Sequence, residues 1–145
     1  MKKIIFLALL MLMTSSSYGA DDYVTWGSLD KGGIASTTSN PRKFASLTEG
    51  SRIHPNRRGG EIKINLSIKA TNVVGWAGLW IRMDDANGEM LSIDNMDNRP
   101  ITGSTGWVRY SNQLYVPKNA TNVVYGVLLE GAGKIDVSDL TFSAY

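Results

Sequence analysis

After residue 20, apolar residues never keep a period of 3.6 for as many as three helical turns. Short runs that alternate with polar residues, or are rich in Val, Ile and aromatic residues, recur between Gly, Asn, Asp and Pro. These runs predict β-strands at Tyr23–Trp26, Ile34–Thr38, Phe44–Leu47, Glu61–Ala70, Gly75–Met83, Glu89–Asp94, Val108–Val116, Val123–Leu129 and Lys134–Tyr145. So many short strands indicate an all-β, single-domain sandwich of jelly-roll type. Asn40 followed by Pro41 predicts one short helix start.

The first 20 residues have the three parts of a bacterial secretory signal. Lys2 and Lys3 precede a run of ten apolar residues, which a small, polar stretch follows. The small residues predict cleavage after Gly19 or Ala20, which leaves residues 21–145 as the sandwich domain. Ten residues of helix span about 15 Å, half of a bilayer core, so no integral membrane segment is expected. The protein is therefore expected to be exported, to the periplasm or beyond it.

Charge balance and the lack of cysteine exclude several classes of protein. Lys2 and Lys3 account for the net charge of +2, because the remaining 13 Lys and Arg residues equal the 13 Asp and Glu residues. This neutrality excludes a generally basic nucleic-acid binder. Without cysteine there is no disulfide, thiolate zinc site or cysteine nucleophile. With a single histidine, His54, and no Gly-x-Ser-x-Gly motif, no catalytic triad can be assigned, and we expect no enzymatic activity.

The segment 75–94 predicts a β-hairpin whose register can be argued from its turn, Asp85–Glu89. A three-residue loop with Gly88 in the left-handed conformation fits the glycine and the hydrophobic pattern. This register would bring apolar residues together on one core-facing side: Met83 opposite Leu91, Ile81 opposite Ile93, and Ala77 and Leu79 beside them.

The opposite side of the same hairpin would carry Trp76, Gly78, Trp80 and Arg82, with Asp94 opposite Trp80. One interpretation is a sugar-binding platform, because indole rings stack on pyranoses while Arg and Asp hydrogen-bond to vicinal hydroxyls. The other interpretation is structural: the face packs under a loop or a second layer, and Arg82 and Asp94 form an ion pair. The residues leave both open.

The chain also resembles a bacterial domain that carries the motifs GWAGLWMRVD, LAFDNM and RPI.GT.DW in this order. The corresponding segments here are Gly75–Asp84, Asn87–Leu91, Asp94–Ile101 and Thr102–Trp107. The domain occurs alone or attached to regulators and hydrolases, and it is similar to carbohydrate-binding jelly rolls of the galactose-binding-like type. The resemblance implies this fold more firmly than it implies a function.

Together, the face and the resemblance predict an exported, non-catalytic carbohydrate-binding module. The expected ligand-binding residues are Trp76, Trp80, Arg82 and Asp94, with Trp107 as a neighbour. The ligand would be a glycan or a cell-envelope polysaccharide. The alternative is a periplasmic or secreted module that docks or inhibits an exported protein. The basic segment 41–58, with a local charge of +4, could contact an acidic partner or be a solvated loop.

Two polar segments admit a functional and a structural interpretation. Asp84–Glu89 is rich in oxygen ligands but lacks EF-hand spacing, and a hairpin turn accounts for it better than calcium. We expect no cofactor, and leave a structural calcium ion open. The polar loop Asp94–Arg99 could line a binding edge, or could satisfy its own backbone, which we favour.

Overall fold

The computed structural model describes residues 22–144, and the predicted signal sequence lies outside them. Within this range the chain forms ten β-strands and one turn of 3-10 helix at Pro55–Arg57. The strands are β1 Tyr23–Ser28, β2 Lys31–Ser36, β3 Phe44–Arg52, β4 Glu61–Thr71, β5 Val73–Asp84, β6 Met90–Asp94, β7 Ile101–Gly103, β8 Trp107–Tyr115, β9 Asn122–Glu130 and β10 Gly133–Ala144. No helix of residues 22–144 is long and apolar enough to cross a membrane.

The strands form two antiparallel sheets, as expected for a jelly-roll β-sandwich. The first sheet has the order β1-β2-β10-β4-β8. The second has the order β3-β9-β5-β6, and β7 pairs with the first half of β5, at Val73 and Ala77. Neighbours in each sheet are often distant in sequence, so the pairing that builds the sandwich is mainly long-range.

The core lies between the sheets and follows from the alternation of apolar and polar residues along each central strand. In β4 and β5 the residues of one parity are buried, and those of the other parity face outward. Burial of this apolar surface contributes about 25 cal/mol per Å² and is the main force that holds the layers together. The most buried members include Ile64, Leu66, Ile68, Leu79, Ile81, Met83, Val127, Leu129 and Ile135.

The hairpin between β5 and β6 has the predicted loop but not the predicted register. Gly88 adopts φ +80°, and the N–H of Asp85 donates to the carbonyl of Glu89 over 2.9 Å, which closes a three-residue loop. A bulge then shifts the pairing, so that Asp84 lies opposite Met90 and Met83 lies opposite Ser92. Leu79 and Ile81 of β5 are buried as predicted. In β6, however, Ser92 and Asp94 face inward and Ile93 faces outward, the reverse of the prediction.

The bulge places Ile93 opposite Arg82, on the outer face, where its side chain is 45% exposed. Asp94 lies opposite Ile81, on the inner side of the hairpin. The predicted register was chosen from the positions of the apolar residues alone. The observed register instead lets Asp94 form charged hydrogen bonds at the sheet edge. Such bonds are stronger than neutral ones and offset the exposure of one isoleucine.

The predicted helix start at Asn40 is wrong, and a turn lies there instead. The side chain of Asn40 accepts a hydrogen bond from the N–H of Arg42 over 3.0 Å, and the chain continues into β3. The single helical turn lies at Pro55–Arg57, where Nδ1 of His54 accepts from the N–H of Asn56 over 3.2 Å. Proline at the first helical position is shared by both sites, so it did not distinguish them.

Candidate functional site

The outer side of β5 carries Trp76, Trp80 and Arg82, which we call the tryptophan face. The three side chains share one parity of the strand, while the alternate residues are buried in the core. Both indoles are partly buried, so the face is neither fully covered nor fully open. Trp76 and Trp80 are four residues apart, which separates them by about 14 Å along the strand.

Trp76 is held by contacts on two sides. Its indole N–H donates to the carboxylate of Glu130, which lies directly opposite on β9. Its ring edge lies over Gly78, where a methyl group would come within 3.1 Å of Cζ3. The carbonyl oxygen of Asn95 also lies over Gly78, 3.0 Å from the same methyl position, so a larger residue there would meet both the ring and the loop backbone. These contacts fix the orientation of Trp76 before any ligand arrives.

Trp80 lies opposite Gly126 on β9, and Thr48 of β3 lies opposite Gly126 on its other side. Close packing requires glycine at this position, because a Cβ on Gly126 would come within 2.1 Å of the carbonyl oxygen of Leu47 on β3. The sequence did not indicate Gly126 or Glu130, since the pairing of β5 with β9 joins segments that are distant in the chain. The only available signal was the alternation within β9 itself.

Arg82 forms an ion pair with Asp84, two residues further along the same strand. The Nη2–Oδ2 and Nε–Oδ1 distances are both 2.9 Å. The Asp84 side chain is only 9% exposed, whereas that of Arg82 is 39% exposed. The guanidinium is thus oriented by Asp84 and still reaches solvent. The ion pair between Arg82 and Asp94, which belonged to the structural interpretation of this face, does not form.

Asp94 belongs to a separate cluster at the edge between the sheets. It binds Arg99 through two oxygens, at 2.8 and 3.2 Å, and accepts the N–H of Met96 over 3.0 Å. Burial acts to raise the pKa of Asp94, but the hydrogen bonds from Arg99 and Met96 and the Arg99 charge hold it below its ordinary value. Asp94 therefore supports the loop structure, and it does not lie on the tryptophan face.

Replacing Asp94 with Asn should lower the free energy of unfolding at neutral pH by about 1 kcal/mol. A carboxylate whose pKa is lowered by folding stabilises the protein above its unfolded pKa, near 3.8. That contribution is lost as the pH falls through the lower, folded value. In urea titrations, the difference between the wild type and Asp94→Asn should therefore be smaller at pH 2 than at pH 7. Asp97→Asn, which removes an exposed carboxylate of the same loop, is the control, and an Asp94→Asn deficit as large at pH 2 as at pH 7 would contradict this account.

Trp107 is the first residue of β8, in the other sheet. Its side chain is 54% exposed, and it lies opposite Lys69 on β4. The two sheets separate it from Trp76 and Trp80, so it is not their neighbour. The error arose because the sequence does not reveal to which sheet β8 belongs.

The segment Asp84–Glu89 forms the hairpin turn, as its structural interpretation predicted. One carboxylate oxygen of Asp85 accepts the N–H groups of Asn87 and Glu89, at 2.8 and 3.0 Å. In the described part of the chain, no three His, Asp or Glu side chains converge to form a metal site. The Asp94–Arg99 loop likewise satisfies its own backbone, since Asn95 accepts the N–H of Asp97 over 3.1 Å.

Comparisons by sequence find one related stretch. No protein-family model matches the chain. An uncharacterized HTH-type transcriptional regulator of Bacillus subtilis (strain 168), YbfP, is 39% identical over 84 residues. The match covers 58% of this chain and 28% of the regulator, so the chain corresponds to a small part of that protein.

Comparisons of structure find the same sandwich in a phage tailspike protein and in carbohydrate-binding modules. The enzymatically active domain of bacteriophage CBA120 tailspike protein 4 matches 85% of this chain and 18% of its own, with a TM-score of 0.61 and 13% identity. The CBM22-1–GH10 modules of Clostridium thermocellum endo-1,4-beta-D-xylanase 10B, complexed with xylohexaose, match 83% of this chain and 24% of their own. The TM-score is 0.54 and the identity is 13%. A family 16 carbohydrate-binding module matches 77% of this chain and 76% of its own, with a TM-score of 0.52 and 10% identity. At these identities the likeness establishes the fold, a jelly-roll β-sandwich that carbohydrate-binding modules share.

Proposed function

We propose that this chain is an exported, non-catalytic carbohydrate-binding module that holds a glycan on the tryptophan face. The fold is one that carbohydrate-binding modules use, and the predicted signal sequence fits export. The observation that carries the proposal is the pair of partly exposed indoles, Trp76 and Trp80, on one side of β5. Fold alone does not imply this function, so the side chains must support it.

The side chains of the tryptophan face supply both kinds of contact that a sugar needs. An indole ring offers an apolar surface on which the C–H face of a pyranose stacks. Arg82, oriented by Asp84, presents N–H donors to hydroxyl oxygens beside the rings. The Glu130 carboxylate, which holds Trp76, can accept a hydroxyl hydrogen bond as well. Because Trp76 is fixed in advance, binding orders few side chains.

Trp80→Ala should weaken glycan binding by about 1 kcal/mol or more, roughly a fivefold loss of affinity. The measurement is a glycan array followed by affinity electrophoresis with the glycans that bind. Tyr115→Ala removes an aromatic side chain that is 53% exposed on the other sheet, and it should leave the affinity unchanged. If Trp80→Ala, shown to be folded by circular dichroism, binds every glycan like the wild type, the assignment of the site is wrong.

A protein partner is the second candidate, and two exposed apolar side chains favour it. Phe44 is 65% exposed in the same row as Glu130 and Trp76, and Ile93 is 45% exposed beside Arg82. Exposed apolar groups on one face mark protein interaction sites when they are contiguous. If the wild type binds no sugar on the array, the protein partner becomes the supported candidate.

A further inference from the structure

A second set of side chains crosses the outer face of the first sheet, on the opposite side of the molecule from the tryptophan face. Strand register places five residues in one row across all five strands of this sheet. All five lie on the outer face, because directly paired residues share a face of the sheet and the strand neighbours of Gly33, Asp136 and Lys69 are buried. In strand order the row is Trp26, Gly33, Asp136, Lys69 and Trp107. We call it the cross-strand row.

A tryptophan stands at each end of the cross-strand row. The row crosses four strand spacings of about 4.8 Å, so the two tryptophans are about 19 Å apart. The ring of Trp26 lies directly on Gly33, where a methyl group would come within 2.2 Å of Cζ2. Trp107 is 54% exposed at the sheet edge. The row therefore has an indole at each end and about 19 Å of sheet surface between them, the length of a chain of several sugar units.

Polar side chains next to the cross-strand row hold one another in place. Arg109, two residues after Trp107, donates to the hydroxyls of Ser67 and Thr141 over 3.3 and 3.0 Å. Asn65 also donates to Thr141, over 3.1 Å. The outer face of the first sheet thus carries oriented hydrogen-bonding groups beside the Trp107 end of the cross-strand row, and such groups can hold the hydroxyls of a saccharide.

The centre of the cross-strand row carries one positive charge, that of Lys69, beyond its ion pair. Asp136 forms an ion pair with Lys134 over 3.3 Å, and the Lys134 ammonium also lies 5.5 Å from the Trp26 ring centroid. Lys69, between Asp136 and Trp107, is exposed and forms no ion pair within residues 22–144. An acidic group on a ligand above this position would meet Lys69 without displacing an existing partner.

We propose that the cross-strand row binds an acidic oligosaccharide, laid across the strands from Trp26 to Trp107, as a second site of this protein. The class of ligand rests on the proposed function, whereas the site does not include any residue of the tryptophan face. Stacking at the two ends requires a chain of several units and not a single sugar. Lys69 contacts the acidic group of a unit between them.

The test is ¹⁹F NMR of protein labelled with 5-fluorotryptophan, because each of its four tryptophans gives its own signal. Trp26 and Trp107 report on the cross-strand row, and Trp76 and Trp80 report on the tryptophan face. The probes are oligogalacturonides and hyaluronan oligosaccharides, each with its carboxyl-reduced counterpart, and the glycans that bind on the array. We expect uronate oligosaccharides to shift Trp26 and Trp107, and the carboxyl-reduced forms to bind less tightly. Trp107→Ala and Lys69→Gln should each weaken this binding about fivefold.

The four signals separate failure of the second site from failure of the proposed function. If Trp26 and Trp107 stay unshifted with every uronate oligosaccharide, the second site is overturned, whatever Trp76 and Trp80 do. Equal binding of the carboxyl-reduced forms would overturn the acidic specificity and the role of Lys69. If Trp76 and Trp80 stay unshifted with every sugar, the tryptophan face is overturned and the second site is judged on its own signals. Tyr115→Ala, about 27 Å from Trp107 along β8, is the control and should bind like the wild type.

Discussion

Replacing Leu79 with Ala should lower the free energy of unfolding by about 2–5 kcal/mol. Leu79 is fully buried in the middle of β5, where it lies opposite Val127 on β9. Removing three carbon atoms there leaves a cavity between the two sheets, and the paired strands around it restrict collapse. Urea denaturation followed by fluorescence measures the change as a lower midpoint at constant slope.

Val74→Ala is the matched control, because it also truncates an aliphatic residue of β5. Val74 is 76% exposed, and the expected change is within about 0.5 kcal/mol. A loss below about 1 kcal/mol for Leu79→Ala, or equal losses for both variants, would contradict the placement of the Leu79 side chain between the sheets.

Asn112→Leu should destabilise the protein by about 1–3 kcal/mol, although leucine has a similar size and is more apolar. Asn112 is 1% exposed on the inner side of β8 and ties the two sheets together. Its amide donates to the carbonyls of Leu79 and Asp94 over 2.7 and 3.2 Å, and its oxygen accepts from Arg99 over 2.8 Å. Leucine would leave the carbonyl of Leu79 without this bond in a buried place and would remove one acceptor from Arg99, which costs more than the apolar contact restores.

Gln113→Leu provides the comparison for this second variant. Gln113 is the next residue of β8, but it faces outward and is exposed. Its replacement should change the free energy of unfolding by no more than about 0.5 kcal/mol. If Asn112→Leu had the same free energy of unfolding in urea as the wild type, the Asn112 amide would not hold the sheets together.

The sequence was sufficient for the faces of β5 but not for the register of its partner. Alternation in Gly75–Met83 correctly assigned Leu79 and Ile81 to the core, and Gly88 correctly marked the three-residue loop. The bulge at Leu91 could not be read from the sequence, because it depends on Asp94 meeting Arg99 and the distant Asn112. A pattern of hydrophobicity carries no information about such a network.

The candidate site could likewise be predicted within one strand but not across strands. Trp76, Trp80 and Arg82 share one face because they share one strand, which is local information. Glu130 and Gly126 come from β9, and their contact with β5 is long-range. Trp107 was assigned to the wrong face for the same reason, since the sequence of a strand does not reveal which sheet it joins.

The proposed function is tested most directly by intermolecular NOEs between a bound glycan and assigned indole protons. With a glycan selected on the array and present at saturation, the sugar ring protons should show NOEs to the indoles of Trp80 and Trp76. Tyr115, on the other sheet, should show none. A saturating glycan that gives no NOE to either indole of the tryptophan face would contradict the account.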